Sequence, residues 1–321
     1  MHSINNQILE VQIPEKLSHS SFFEFQLPIT DFKYVVFDFK NTKKVSLAGA
    51  ISLICLSAYL LEDVKERNGI DLYCEISQLS EEQINLLMNF GFFREMVQKA
   101  NLRMINNMDL SFKKEILELE SKYVKHQINK IKSKQKIHNL IMPIGTIPIG
   151  AEDLYETRIY NFRNSFFDFY QKLIENGILN STAKNEDENL DDFEDVLNAI
   201  LEVIKNIYDH SKSWGIGAIH ARNNHVEIVY QDIGIGISNS MRENPIFNSL
   251  SEKDAILHSL KDGVSSKLEN GNNMGRGFTV IMDFVKERDG YLSISTGHYN
   301  IINGKFKQIN KFNGTQLVLY I

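Results

Sequence analysis

The sequence predicts an α/β protein built as two domains, and three observations lead there. The chain has 321 residues, about twice the ordinary size of one domain, so each half can bury its own core. Its first third alternates β-branched or aromatic runs with stretches of helical periodicity. Its second half places a strongly amphipathic helix ahead of short strands that end in pairs of glycines. Composition is that of a globular chain, with 43% hydrophobic and 24% charged residues. A formal net charge of -6 supplies no broad basic field to hold nucleic acid or an anionic membrane surface. A small-molecule or protein partner is the class that remains. Cys55 and Cys74 are the only cysteines, and the opening "MHSINNQILEVQ" is polar and mixed, so a reducing cytoplasm with both thiols free and buried is expected.

The first strand is read in "FKYVVFDFKNTKKVS", from Phe32 to about Asp38. The uncharged stretch Ser46 to Leu61 follows; it falls short of the roughly 20 residues a membrane span needs and reads as a buried helix. "IDLYCEIS" is the second strand. "SEEQINLLMNFGFF" is the second helix, with Ser80 as N-cap, two acids in its first turn and Gly91 at its end. Strand, helix, strand, helix at this spacing is a βαβα unit with a parallel strand pair.

Residues 112–140 read as one long charged helix, free of Gly and Pro, whose lysine-rich second half is balanced by acids in the first. "IMPIGTIPIGAED" then punctuates the chain, giving an expected division into 1–111, a connector 112–141, and 142–321. A helix ending at Gly177 comes next, followed by an acidic loop, "STAKNEDENLDDFED". "VLNAILEVIKNIYDHSKSWG" is a helix apolar at i, i+3 and i+4 that stops at Gly215. "IGAIHAR" and "HVEIVYQD" form a strand pair turning at Asn223 and Asn224; "GFTVIMDFVKERDG" is a helix, and "YLSISTG" and "TQLVLYI" are strands.

The chemistry gathers in this second half. Glu202 and Asn206 are four residues apart on one helix face, with Asp209 seven from Glu202 on the same side. Asp232-x-Gly234-x-Gly236 ends a strand in a turn that a ligand can approach closely, because glycine carries no side chain. "NNMGRGFTVI" puts Gly275, Arg276 and Gly277 at a helix start, whose free N–H groups suit phosphate. Asn313-Gly314-Thr315 opens the last strand.

In this order, over Met142 to Ile321, the motifs resemble the GHKL superfamily of ATP-binding domains, which gyrase, the heat-shock chaperone ATPase, histidine kinases and mismatch-repair ATPases share. The nearest likeness is to its anti-sigma-factor-like branch: "EVIKNIYDH" is similar to that branch's E-x-x-x-N-x-x-x-H box. The resemblance implies a Bergerat α/β sandwich that binds ATP with Mg2+. Asp232 would accept from the adenine amine with Thr315 in support, and Gly234 and Gly236 would let the base approach. Asn206 would be the metal ligand and Glu202 the catalytic carboxylate, with Asp209 beside them. Gly275, Arg276 and Gly277 would cover the phosphates, and Lys267 in the expected lid is the best candidate for a lysine that reaches the γ-phosphate.

Residues 33 to 100 resemble the STAS fold of anti-sigma-factor antagonists, in which a serine turn opening a helix accepts phosphate. Here that turn reads Val45-Ser46-Leu47-Ala48-Gly49, with Leu47 in the acceptor position unless a one-residue slip brings in Ser46. The chain is thus expected to be a cytoplasmic regulator whose GHKL domain binds Mg-ATP and hydrolyses it slowly as a switch for protein partners. Those partners would be reached through the STAS-like domain, with neither nucleic acid nor membrane involved and a homodimer compatible. A serine/threonine kinase of the anti-sigma type and a non-hydrolysing ATP-binding scaffold are the alternatives.

Overall fold

The computed structural model describes residues 2–5, 8–22, 33–63, 71–99, 102–105, 108–109, 113–132, 139–147, 152–178, 186–222, 225–261 and 277–321. It is a mixed α/β chain in two compact units, 1–128 and 129–321.

The first unit opens with β1 (His2–Asn5), β2 (Ile8–Gln12) and the short β3 (Lys16–Leu17). Then come β4 (Tyr34–Asp38), β5 (Lys44–Val45), α1 (Leu47–Asp63), β6 (Asp71–Glu75), α2 (Glu81–Phe90) and α3 (Phe92–Lys99). β7 (Leu102–Ile105), β8 (Met108–Asp109) and α4 (Lys113–Lys132) follow. The main sheet has the order β1-β2-β4-β6-β7-β8, with β2, β4, β6 and β7 parallel and the two outermost strands antiparallel. Burial alternates along β4 and β6, so Val35, Phe37, Leu72 and Cys74 line one covered face. The expected parallel pair is therefore present, inside a wider sheet that also holds β1 and β2.

Local signals hold here. Ser80 and Gln83 close a capping box on α2, and Gly91 ends that helix in the left-handed region at φ 84°. Ser46 Oγ accepts from the Gly49 N–H at 3.1 Å and caps α1, while Leu47 is fully buried. The one hydroxyl of that turn is thus engaged in starting the helix. Cys55 and Cys74 are free and buried, as expected, and burial pushes the Cys74 thiol up to about 12.

The second unit runs β9 (Asn139–Ile147), α5 (Glu152–Glu175), α6 (Glu186–His210), β10 (Gly215–Arg222), β11 (His225–Asp232), α7 (Gly236–Arg242) and α8 (Glu252–Ser259). α9 (Gly277–Glu287), β12 (Tyr291–Ile302) and β13 (Lys305–Tyr320) complete it. Its sheet is antiparallel in the order β12-β13-β11-β10-β9. Phe166, Phe169, Leu197, Ile200, Val203, Ile228, Ile281, Phe284 and Leu319 share one buried core, which joins α5, α6 and α9 to one sheet face.

Several expectations need correction. The helix read over 112–140 is described over Lys113–Lys132, and its expected last residues, Asn139 and Leu140, instead open the edge strand β9. Pro143 is tolerated there because β9 pairs on one side only and its register to β10 shifts between Gly217 and Ile219. The division between units falls within α4, after Ile128. Part of the expected acidic loop is helical, since α6 already begins at Glu186; acids favour the positive end of a helix dipole, and Phe193, Val196 and Leu197 bury the face behind them. The same helix ends at His210, and Gly215 opens β10.

The last two strands are longer than predicted and meet at Asn303-Gly304, a hairpin signal in the sequence. Register shifts around Gly297 bend that hairpin, so that the Asn303 N–H reaches the Leu292 carbonyl at 2.9 Å and the Asn303 side chain accepts from the Leu292 N–H at 2.8 Å. The open edge of β12 is blunted at that point. The turn at Asn223 and Asn224 lies outside the described residues.

Candidate functional site

β11 is buried from Val226 to Asp232, which pairs with Gly215 at the sheet's end and is 2% exposed. Its Oδ1 accepts two backbone N–H groups, from Gly234 at 2.8 Å and from Thr315 at 3.2 Å. Among the described residues Oδ2 takes no hydrogen bond. Burial pushes the carboxyl up to about 7, with the two N–H bonds pulling the other way. A nearly enclosed acid with one spent oxygen and one open oxygen is costly to keep unless something meets the second.

The glycines after it answer to the protein itself before any ligand. A Cβ on Gly234 would fall 1.9 Å from the Ser211 carbonyl oxygen, and that same oxygen accepts from the Ile235 N–H at 3.0 Å. Gly236 has φ +76°, where a side chain is strained, and it starts α7. Gly314 closes the other side, since a Cβ there would lie 2.1 Å from the Asp232 carbonyl oxygen. Within the protein itself, the missing side chain of Gly234 makes room for Ser211.

The structure brings Asp232, Gly234, Gly236 and Thr315 together at one sheet end. Thr315 is buried, and the contact it makes to Asp232 is a direct one through its backbone N–H. Glu202, Asn206 and Asp209 are half-buried on α6, which packs on α9, touches β11 and α7, and ends one residue before Ser211. Among the described residues the Asn206 amide nitrogen, sealed from solvent, finds no hydrogen-bond partner. Gly277 is the first residue of α9, whereas Lys267, Gly275 and Arg276 lie outside the described residues. Ser211 and Thr296 hold the turn and carry no sequence motif of their own; Thr296 stands opposite Thr315 in the β12/β13 pairing while Gly297 is shifted opposite Phe312, and only the register reveals this.

Among the described residues no group of three His, Cys, Asp or Glu is arranged to hold a metal. None of the described helices is long and apolar enough to cross a membrane. Set against protein-family models and against curated proteins, the chain finds no match in either.

Proposed function

We propose that residues 129–321 form an adenine-nucleotide unit of GHKL type, and that the protein is a cytoplasmic regulator that binds Mg-ATP and hydrolyses it slowly to switch its hold on protein partners. The observation that carries this reading is the Asp232 carboxylate, buried at a strand end with Oδ2 unspent among the described residues and the glycine turn locked around it. Oδ2 accepts from the exocyclic amine of adenine. Guanine offers a carbonyl at that position, would leave the buried carboxylate unpaired, and is rejected.

The residues on α6 suit the rest of the ligand. Asn206, half-buried on α6, would offer its amide oxygen to a hard cation that otherwise keeps water and phosphate ligands. Bound Mg2+ would supply charge neutralisation at the phosphates. Glu202, one helical turn before Asn206, orients the attacking hydroxyl or water and takes its proton. In this reading the N-terminal unit is the surface that partners meet.

The test is to incubate the whole protein with Mg2+ and γ-labelled ATP, following nucleotide binding, free phosphate and protein-bound label. Wild type should bind and release phosphate slowly. Glu202→Ala should bind within about twofold of wild type and lose turnover by about 10²-fold or more. Label transferred to protein would replace hydrolysis by a kinase reaction, and absence of binding would overturn the nucleotide reading.

A further inference from the structure

The segment from Asp232 to Ile237 is pinned at three points by parts of the chain remote in sequence. Its start is held by the Thr315 N–H on Asp232 Oδ1 at 3.2 Å. Its middle is held by the Ser211 carbonyl, which accepts from the Ile235 N–H at 3.0 Å. Its end is held by the Thr296 hydroxyl, whose Oγ1 accepts from the Ile237 N–H at 3.1 Å. Two of these anchors are backbone groups; the third is a side chain that substitution can remove.

We infer that Thr296 is a positioning residue: its hydroxyl fixes the glycine turn, and through it the face of Asp232 that remains open. Thr296 is 1% exposed and stands directly opposite Thr315 in the β12/β13 pairing. The two threonines therefore grip opposite ends of one turn from neighbouring places on the sheet. The fit is close, because a Cβ on Gly236 would lie 2.9 Å from Thr296 Oγ1. The far side of Thr296 is pinned too: the register shifts at Gly297, where Glu252 Oε1 accepts from the His298 N–H at 2.8 Å. A threonine held on both sides cannot follow a turn that moves, so the turn takes its place from the threonine.

Valine keeps the shape of threonine and loses the acceptor, which leaves the buried Ile237 N–H unpaired. Serine keeps the acceptor. The experiment compares Thr296→Val and Thr296→Ser in the whole protein by hydrogen exchange at the Ile237 amide and by Mg-ATP binding. The expected result is Ile237 exchange accelerated about tenfold or more and ATP affinity reduced about tenfold in Thr296→Val, with Thr296→Ser within about twofold of wild type in both. Unchanged exchange in Thr296→Val, or equal changes in both variants, would overturn the assignment and leave Thr296 as packing alone. Should Thr296→Val fail to fold, Thr296→Ala removes the same hydroxyl without adding a methyl group. The effect on ATP rests on the nucleotide reading above. If wild type binds no ATP, that reading falls, and the exchange comparison still decides what Thr296 does to the turn.

Discussion

Each unit buries one carboxylate that accepts two backbone N–H groups, and the two spend their oxygens differently. In the first unit Glu120, 1% exposed on α4, receives the N–H groups at the start of α3 one to each oxygen: Phe93 on Oε1 at 2.8 Å and Arg94 on Oε2 at 2.6 Å. In the second, both donors converge on Oδ1 of Asp232. Burial pushes each carboxyl up to about 7. Glu120 is a closed helix cap, satisfied by the fold. Asp232 is held by the fold through Oδ1, and among the described residues its Oδ2 takes no hydrogen bond; under the proposed nucleotide reading that is the oxygen a ligand would meet.

The sharpest way to break the comparison is Asp232→Asn. Its oxygen can still accept from Gly234 and Thr315, so thermal unfolding at pH 8 should show stability equal to wild type or higher, because a buried charge has gone. Its amide nitrogen would face the adenine amine, donor against donor, and calorimetry should show ATP binding weakened by about 10 to 100-fold. Lost stability with intact binding would put Asp232 in the same class as Glu120.

Glu120→Ala should do the converse. Two buried N–H groups lose their acceptor, so denaturant unfolding of the first unit should be easier by about 1 to 3 kcal/mol, while ATP affinity stays within about twofold of wild type. The smallest effect is in pH. Both carboxyls sit above their ordinary values of 3.8 and 4.5, so each contributes stability that is whole below those values and is lost as pH rises through about 7. Binding runs the other way, since the adenine amine needs the ionised acceptor. ATP affinity should fall about tenfold from pH 8 to pH 6 in wild type and stay flat in Asp232→Asn. A flat wild-type profile would mean that Asp232 does not read the ligand.

How far the sequence carried differs from place to place. The capping box at Ser80 and Gln83, the stop at Gly91 and the alternation in "YVVFD" are interactions of neighbours along the chain, so they could be read directly. "IMPIGTI" misled because Pro and Gly mark loops in general, and only its edge position with a register shift makes them tolerable in a strand. The acidic stretch before Phe193 looked like a loop because its helix depends on a buried face further on.

The sequence by itself determined the α/β class, the order of the main elements and the identity of the polar residues that stand out: Glu202, Asn206, Asp232 and Thr315. Periodicity, capping and glycine placement are local properties, and they survive without knowledge of the fold. Only the tertiary structure decided that Ser211, Thr296 and Gly314 close around the turn, and that among the described residues the second oxygen of Asp232 takes no hydrogen bond while both of Glu120 are spent. Those outcomes depend on strand register and on where distant backbone groups arrive: apart from the local Gly234 bond to Asp232, the hydrogen bonds to the two carboxylates span from 26 to 83 residues of chain.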